Sequence, residues 1–209
     1  MINKLNKPKQ DGTMQNKKGI VIGISGASGS LLGIEVLRAL RDFDNIETHL
    51  VVTKLATQTI LHETKLTMAT VQRMADHYHP INSLSATIAS GSVDIMGMIV
   101  VPCSMKTLAG IASGYSDNLL LRAADVCLKE RRKLVIVPRE TPFSGIHLRN
   151  LSFLHDQGVI ILPAMMTFYH QPETIQDMVD YLVGKILSQF DLEYGKYKPW
   201  EGKLDVIPE

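Results

Sequence analysis

Short apolar segments alternate along this chain with longer stretches whose apolar residues recur at helical spacing. The apolar segments predict five buried strands, at residues 19–24, 47–52, 97–101, 133–137 and 158–162. Helices are predicted at residues 31–42, 53–75, 105–113, 116–131, 145–155 and 173–190. Segments such as IVVP and LVIVP are apolar throughout, which is typical of parallel strands covered by helices on both faces. The sequence therefore predicts an α/β domain with a doubly wound parallel sheet, a three-layer fold of the Rossmann or flavodoxin-like kind.

The two ends of the chain differ from this regular centre. Residues 1–18 carry lysines but too little apolar surface to offset the entropy of ordering them, so a disordered N-terminal tail is expected. Residues 19–192 hold the predicted α/β domain, and residues 193–209 are predicted to form an irregular C-terminal arm. Trp200, the only tryptophan in the sequence, lies in this arm, so we expect the arm to dock on this chain or to form a subunit contact.

The composition of the 209-residue chain argues against several functional classes. A formal net charge of +1 gives no general attraction to nucleic acid or to a membrane, and no apolar run approaches the length of a membrane span. The only cysteines, Cys103 and Cys127, are too few for a disulfide framework, so a cytoplasmic protein is expected. His77 and His79 are too close to share a helix face, and no HExxH motif occurs, so no metal site is predicted.

The candidate chemistry follows the strands, because ligands of open parallel sheets bind beyond the carboxyl ends of the strands. The first strand is followed by SGASG, a glycine-rich turn that opens a helix and could hold a phosphate with N–H groups, the helix dipole and two serine hydroxyls. Ser25 stands where a dinucleotide fingerprint has its second glycine, and Thr53 follows the second strand where an acidic residue would bind an NAD ribose. The pattern favours a mononucleotide, and a tight turn that binds no ligand is the alternative.

The segment PCSMKT, after the third predicted strand, repeats this arrangement. Ser104 and Thr107 supply hydroxyls, and Lys106 places a cation near a helix N-terminus. A cation there opposes the helix dipole unless an anion lies between them, and the alternative is a solvated lysine that points away. Cys103 is interpreted as a buried thiol rather than a nucleophile, because no histidine lies near it in sequence.

Two cations in the helix predicted at residues 116–131 are further candidates for binding phosphate. Arg122 and Lys129 are seven residues apart, so they project from nearly the same helix face. Arg122 lies among apolar residues, where a partly buried guanidinium needs an anionic partner. That partner is either a bound phosphate or a nearby carboxylate, Asp125 or Asp117.

Together these segments resemble the UbiX-type flavin prenyltransferases, a family that includes the B subunits associated with phenolic-acid decarboxylases. The resemblance covers residues 19–200 and rests on GISGASG, ETHLVVTK, FYHQP and the block VPCSMKTLAGIASGYSDNLLLRAADVCLKERRKLVIVPRETP. It implies that reduced FMN and dimethylallyl phosphate react, without a metal, to give prenylated FMN, in which a fourth ring bridges flavin N5 and C6. The product is expected to serve a UbiD-type decarboxylase.

The resemblance also assigns roles to matching positions of this chain. The positions matched to FMN contacts are Gly26, Ala27, Ser28, Thr53, Ser104, Met105, Lys106, Thr107 and Arg139. The positions matched to dimethylallyl phosphate contacts are Tyr169 and Lys185, with Arg122 and Lys129 near the phosphate and Trp200 beside the allyl group. The catalytic set is then Glu140 as acid and base, Ser104, Lys129 and Arg122. A buried salt bridge from Glu140 to Arg139 or Arg122 is the structural alternative.

The chain departs from the family pattern in two places. Relatives frequently have PPMPAFY or PPIPAFY where this chain has PAMMTFYH, so the loop before Tyr169 lacks a proline. Lys185 stands where arginine is frequent, which keeps the charge and loses the fork geometry of a guanidinium. Both changes bear on how a prenyl phosphate is held.

Two other functions compete with the prenyltransferase. The related flavin-containing cysteine decarboxylases share the fold and the flavin site, but the basic set formed by Arg122, Lys129, Arg139 and Lys185 favours a phosphorylated donor. The third hypothesis is a non-catalytic carrier that delivers FMN to a partner decarboxylase. The resemblance further implies a homo-oligomer, expected to be a dodecamer.

Overall fold

The computed structural model describes residues 17–200 and residue 202. The tail predicted at residues 1–18 therefore lies almost wholly outside the described residues, as do residues 201 and 203–209 of the predicted arm. The described residues form six strands: β1 (Lys18–Ile24), β2 (Ile46–Val52), β3 (His77–His79), β4 (Ile95–Cys103), β5 (Lys133–Pro138) and β6 (Ile160–Ile161). Their seven α-helices are α1 (Ser30–Leu40), α2 (Lys54–Thr64), α3 (Met68–Gln72), α4 (Met105–Ala112), α5 (Leu119–Lys129), α6 (Gly145–Asp156) and α7 (Ile175–Leu187).

All six strands lie parallel in one sheet, in the order β3-β2-β1-β4-β5-β6. The chain proceeds outward from β1 in one direction, then returns to the other side of β1 to add β4. Such a reversal opens a crevice between the carboxyl ends of the two central strands, here β1 and β4. The predicted doubly wound parallel sheet is confirmed.

Two predictions about elements need correction. β3 was not predicted, because its sequence HYH is too short and too polar to stand out as an apolar run. The helix predicted at residues 53–75 is divided into α2 and α3. Lys65 ends α2 in a left-handed conformation with a φ of 60°, and the Thr67 side chain caps the start of α3.

The sheet separates two apolar layers, as expected for strands buried on both faces. On one face, β1 residues such as Ile22 pack with α1, α2 and α7; on the other, β4 residues such as Met98 pack with α4, α5 and α6. Ile22 and Met98 are both fully buried. The helices thus hold the central strands rigidly, and the loops that follow those strands share one edge of a fixed frame.

The described part of the C-terminal arm docks on its own chain. The Tyr194 hydroxyl donates a hydrogen bond to Asp180 Oδ1 of α7 at 3.0 Å. The Tyr197 ring packs against the Tyr181 ring with centroids 5.3 Å apart and lies over Gly184, whose missing side chain leaves room for it. Docking on this chain, one of the two arrangements expected for the arm, is therefore observed. A role of the arm in subunit contacts stays a prediction.

The helices of the described residues do not include one that is both long and apolar enough to cross a membrane.

Candidate functional site

A cavity of about 1300 Å³ opens beyond the carboxyl ends of the central strands. Five residues of the predicted flavin set line it, namely Gly26, Thr53, Ser104, Lys106 and Thr107. Apolar residues of α5 and α6 and the polar side chains of Arg149 and Asn150 complete the wall. This combination of a large apolar cleft and a few convergent polar groups is typical of a cofactor-sized ligand site.

Ser104 stands at the centre of this edge because it caps α4. Its Oγ accepts a hydrogen bond from the Thr107 N–H at 3.3 Å and donates to Thr107 Oγ1 at 3.1 Å. Lys106 follows in the first turn of α4, exposed and on the cavity wall. Two hydroxyls and a cation therefore lie at the N-terminus of α4, as the sequence predicts. The N-terminus of a helix favours an anion.

Ser25 lies beneath this cap and serves the protein rather than a ligand. It is fully buried, its Oγ donates to the Pro102 carbonyl at 2.8 Å, and the Ser104 N–H donates to it at 2.7 Å. The hydroxyl therefore ties the end of β1 to the end of β4. The expectation that both serines of SGASG could contact a phosphate is wrong for Ser25, because its hydrogen-bonding capacity is used inside the fold. Sequence reasoning missed this role since the partners lie 77 and 79 residues away.

The N-terminus of α1, also expected to hold a phosphate, carries an internal anion instead. The Glu63 carboxylate of α2 accepts hydrogen bonds from the N–H groups of Gly29 and Ser30 and, at 2.6 Å, from Ser30 Oγ. Burial raises the pKa of Glu63, but the hydrogen bonds from Ser30, Ser28 and the backbone outweigh burial and hold the pKa below its usual value. The charged carboxylate thus caps α1.

The remaining predicted flavin contacts vary in exposure. Thr53 caps α2 with its hydroxyl and joins β2 to β1 through the Thr53 N–H and the Ile24 carbonyl at 3.0 Å. Ala27 and Met105 are buried, whereas Ser28 is exposed. None of these three lines the cavity, although each is next in sequence to a residue that belongs to the cavity wall or to the same turn. The structure therefore brings five of the nine predicted flavin contacts together in one cavity, and the roles of the others stay predictions.

Arg139 and Glu140 follow β5 directly, and both are exposed. The Arg139 N–H donates to the Cys103 carbonyl at 3.0 Å, which fixes the loop against the end of β4. The Glu140 carboxylate accepts from the Thr141 N–H at 3.1 Å. Among the described residues it forms no ion pair with either arginine considered as its alternative partner, and neither Arg139 nor Glu140 lines the cavity described above.

Arg122 and Lys129 lie away from the cavity of their own chain. The Arg122 guanidinium donates hydrogen bonds to Asp125 at 2.6 Å and to the Ala89 carbonyl at 3.1 Å. Of the two anionic partners considered for Arg122, a bound phosphate or a nearby carboxylate, the carboxylate is therefore the one observed. Lys129 forms an ion pair with Glu130. Because Lys129 ends α5 and a helix rises 1.5 Å per residue, it lies about 12 Å along the helix from Leu121, the nearest residue of α5 that lines the cavity.

The residues matched to prenyl phosphate contacts lie on another surface. The side chain of Tyr169 is 69% exposed, and its ring packs on the Trp200 ring with centroids 5.0 Å apart. Lys185 is exposed near the end of α7. None of these three lines the cavity described above. The chain therefore carries its predicted flavin contacts and most of its predicted phosphate contacts on separate surfaces.

The two cysteines are unreactive by position. Cys103 and Cys127 are buried, and burial raises the pKa of the Cys103 thiol far above its usual value and that of Cys127 to about 12. The interpretation of Cys103 as a buried thiol agrees with this environment.

Comparisons with known proteins match this fold and site. The flavoprotein family model matches residues 8–187. A probable UbiX-like flavin prenyltransferase from Sedimentibacter hydroxybenzoicus is 53% identical over 186 residues, which cover 89% of this chain and 98% of the relative. The flavin prenyltransferase UbiX of Salmonella typhimurium is 45% identical, and the match covers 99% of that relative's length. This chain belongs to the UbiX-like flavin prenyltransferase family.

Solved structures of relatives agree in detail with the chain. A protein described as a dodecameric, FMN-dependent UbiX-like decarboxylase from Escherichia coli O157:H7 is 50% identical and superimposes with a TM-score of 0.87 over 88% of this chain and all of that chain. AnUbiX, solved in complex with FMN and dimethylallyl pyrophosphate, is 49% identical with a TM-score of 0.88, over 90% of this chain and all of that chain. The peptidyl-cysteine decarboxylase EpiD is only 17% identical with a TM-score of 0.58, and that likeness shows the fold alone.

Proposed function

We propose that this protein is a flavin prenyltransferase, which joins a dimethylallyl group from dimethylallyl phosphate to N5 and C6 of reduced FMN. The observation that carries the proposal is the cavity between β1 and β4, lined by Thr53, Ser104, Lys106 and Thr107. The same motifs are present in a family one of whose members was solved with FMN and an allylic pyrophosphate. FMN is here a substrate, held where a doubly wound sheet binds its ligand.

In this proposal the residues after β4 hold the flavin phosphate. The α4 N-terminus supplies N–H groups and the positive end of its dipole, while Lys106 supplies a full charge. Thr53 and Gly26 border the flavin from the side of β1 and β2. The α1 N-terminus contributes no phosphate contact, because Glu63 already occupies its N–H groups.

We further propose that the prenyl phosphate binds where two copies of the chain meet. Tyr169 and Lys185 are exposed and do not line the cavity, and Lys129 is about 12 Å along α5 from Leu121 in the cavity wall. A second copy can bring such residues to the flavin edge, and a relative with half of its sequence identical forms a dodecamer. A homo-oligomer, expected to be dodecameric, then completes each site.

The chemistry asks the protein mainly to stabilise charge. When the allylic C–O bond breaks, its electrons leave with the phosphate, and preorganised cations such as Lys185 and Arg139 stabilise the charge where it develops. The aromatic rings of Tyr169 and Trp200 can shelter the electron-poor allyl group. When the second bond forms, the remaining double bond of the prenyl group gains a proton and flavin C6 loses one. Glu140 serves as the acid and the base of this exchange, a role consistent with an exposed carboxylate beside β5.

The product is expected to leave the enzyme for a UbiD-type decarboxylase in the cytoplasm. The two competing functions have less support. A cysteine decarboxylase binds FMN but does not need further cations for a phosphorylated second substrate, and the solved cysteine decarboxylases resemble this chain only in fold. A pure FMN carrier does not need an acid or base at Glu140.

The test is an anaerobic incubation of the purified oligomer with reduced FMN and dimethylallyl phosphate, followed by mass measurement of the extracted flavin. A flavin heavier by one C5 unit is expected. Glu140→Gln and Lys185→Ala should retain FMN and lose 100-fold or more of the rate, within the range typical of general acid–base catalysis. Lys196→Ala, an exposed lysine of the arm, is the matched control and should keep the wild-type rate.

Unmodified FMN in a reaction whose positive control succeeds would refute the prenyltransferase. FMN release from the wild type to a decarboxylase, without a mass change, would support the carrier. Oxidation of a cysteinyl peptide with loss of CO₂ would support the decarboxylase.

A further inference from the structure

Four polar side chains form a compact cluster on one face of the β2–β3 pair, which we call the edge cluster: Glu47, His49, His77 and His79. In a strand, residues two apart share a face, and the parallel register pairs His49 with His77. The prediction of no metal site assumed helical spacing for His77 and His79. On a strand the same spacing places both rings side by side.

The polar atoms of the edge cluster converge. Glu47 Oε1 lies 2.8 Å from His77 Nε2, and Glu47 Oε2 lies 3.8 Å from His49 Nε2. One ligand-capable atom from each of these three residues falls within 4.8 Å of the others. The imidazole rings of His49 and His77 are stacked, with centroids 4.8 Å apart. Two nitrogens and one carboxylate oxygen therefore lie close enough together at the sheet surface to contact one ion.

His79 sets the orientation of the buried ring. His49 is only 5% exposed, and its Nδ1 lies 3.1 Å from His79 Nε2. If His49 Nδ1 carries the proton and donates it to His79, the Nε2 lone pair of His49 is left facing Glu47 and His77. Histidines that bind metals almost always donate their other ring N–H in this way, which fixes the ring and its tautomer.

We propose that Glu47, His49 and His77 form a binding site for a divalent first-row cation, with zinc as the best match. Two imidazole nitrogens and one carboxylate are a common ligand set for zinc, and the fourth position of its tetrahedron is open to water because Glu47 and His77 border solvent. Asp76 lies beside the site, anchored by the Thr48 N–H and hydroxyl at 2.8 Å, and adds negative charge that attracts a cation.

The site is separate from the flavin cavity. Glu47 lies near the start of β2, whereas the cavity lies beyond the carboxyl end of that strand. A cation there would join β3, an edge strand of three residues, to β2. The expected consequence is local: the metal would stabilise the outer strand and leave the prenyl transfer itself unchanged.

Zinc uptake by the full-length oligomer tests the proposal directly. The protein, free of any affinity tag, is stripped with a chelator and dialysed against buffered Zn²⁺, and the bound metal is measured by mass spectrometry. One equivalent per chain is expected. His77→Gln and Glu47→Gln should each weaken uptake at least 10-fold, and His79→Ala should weaken it about 10- to 100-fold, the usual effect of losing an orienting partner.

His155→Gln, which removes an exposed histidine at the end of α6, is the matched control and should bind zinc as the wild type does. Because Co²⁺ reports coordination geometry, visible absorption bands of a tetrahedral Co²⁺ complex should be present in the wild type and absent in His77→Gln. Circular dichroism and FMN binding should match the wild type in every variant.

Absence of saturable uptake, or uptake unchanged in the Glu47→Gln and His77→Gln double variant, would overturn the proposal. These readouts do not depend on prenyl transfer, so failure of the metal site leaves the proposed enzyme activity untouched, and the reverse also holds.

Discussion

Ser25 is the residue on which the geometry of the central crevice depends. Replacing it with alanine removes the acceptor of the Ser104 N–H and one of the two donors to the Pro102 carbonyl, at a side chain that is fully buried. We expect Ser25→Ala to lower the free energy of unfolding by about 2–3 kcal/mol. Urea denaturation measures this change.

Ser85→Ala is the matched control for stability, because Ser85 is an exposed residue of a turn. FMN affinity should also fall in Ser25→Ala, since the Ser104 cap loses its support. Equal denaturation midpoints for the two variants would show that Ser25 has no special role.

Glu63 gives a second prediction at the scale of single residues. Glu63→Gln keeps one acceptor oxygen but removes the charge at the α1 N-terminus, and we expect a loss of about 1 kcal/mol, since the carboxylate is partly solvated. Because the pKa of folded Glu63 is lowered, its stabilisation is complete above the ordinary carboxyl pKa of 4.5 and is lost as the pH falls through the folded value.

The stability difference between the wild type and Glu63→Gln should therefore shrink as the pH is lowered below about 4.5 in urea titrations. Glu193→Gln, an exposed carboxylate in the arm, should show no such difference at any pH. A constant gap between the wild type and Glu63→Gln from pH 7 to pH 3 would contradict the assigned role.

Individual contacts of this kind were beyond prediction from sequence. Ser104, Lys106 and Thr107 could be placed at the site because they follow a strand and open a helix, which are local properties. The partners of Ser25 and Glu63 lie more than 30 residues away, so only the folded chain reveals them.

Among the elements, α7 and the arm form the contact that is most sensitive to a small change in volume. A Cβ at position 184 would lie 2.3 Å from Tyr197 Cβ, a distance that side-chain rotation does not relieve. We expect Gly184→Ala to destabilise the docked arm by about 1–3 kcal/mol, as overpacking usually does. Limited proteolysis should then cut near residue 197 faster than in the wild type.

Gly145→Ala is the control, because a Cβ in the first turn of α6 meets open space and alanine favours a helix. If both variants are cut at the wild-type rate, the arm is not held by this contact.

Element prediction succeeded where apolar pattern and helix length were strong. The five predicted strands all exist, and the predicted helix at residues 145–155 nearly coincides with α6. Prediction failed at β3, because this short segment is a strand only through its pairing with β2. It also failed at Lys65, because nothing in the sequence indicates that this lysine adopts a left-handed conformation and ends α2.

At the scale of the whole molecule, exposed apolar side chains predict assembly. A surface near Tyr169 exposes Met165, Met166, Phe168 and Ile175, each at least 63% accessible. Large exposed apolar residues that follow one another along the chain are typical of a protein interface. We expect Phe168→Asp to shift the sedimentation coefficient towards smaller species and to reduce prenyl transfer with it.

Arg41→Asp, an exposed change at the end of α1, should leave the sedimentation coefficient as it is. If Phe168→Asp still forms the full oligomer, this surface is not part of the subunit contacts.

The overall architecture was predictable because alternating strands and helices leave few ways to cover a parallel sheet, and the family motifs cover most of the chain. The division of the site between surfaces was not predictable. Seven-residue spacing places Arg122 and Lys129 on one face of α5, but the direction in which that face points depends on how the helix packs on the sheet.

The carboxylate of Glu63 has a consequence for which nucleotides the chain can accept. A dinucleotide presents two adjacent phosphates, and folds that bind one usually offer the N-terminus of the first helix to them. Here that position already bears a fixed negative charge. We therefore expect the fixed charge of Glu63 to disfavour the binding of NAD and FAD, so that a single acidic side chain favours a monophosphate in a general nucleotide-binding architecture.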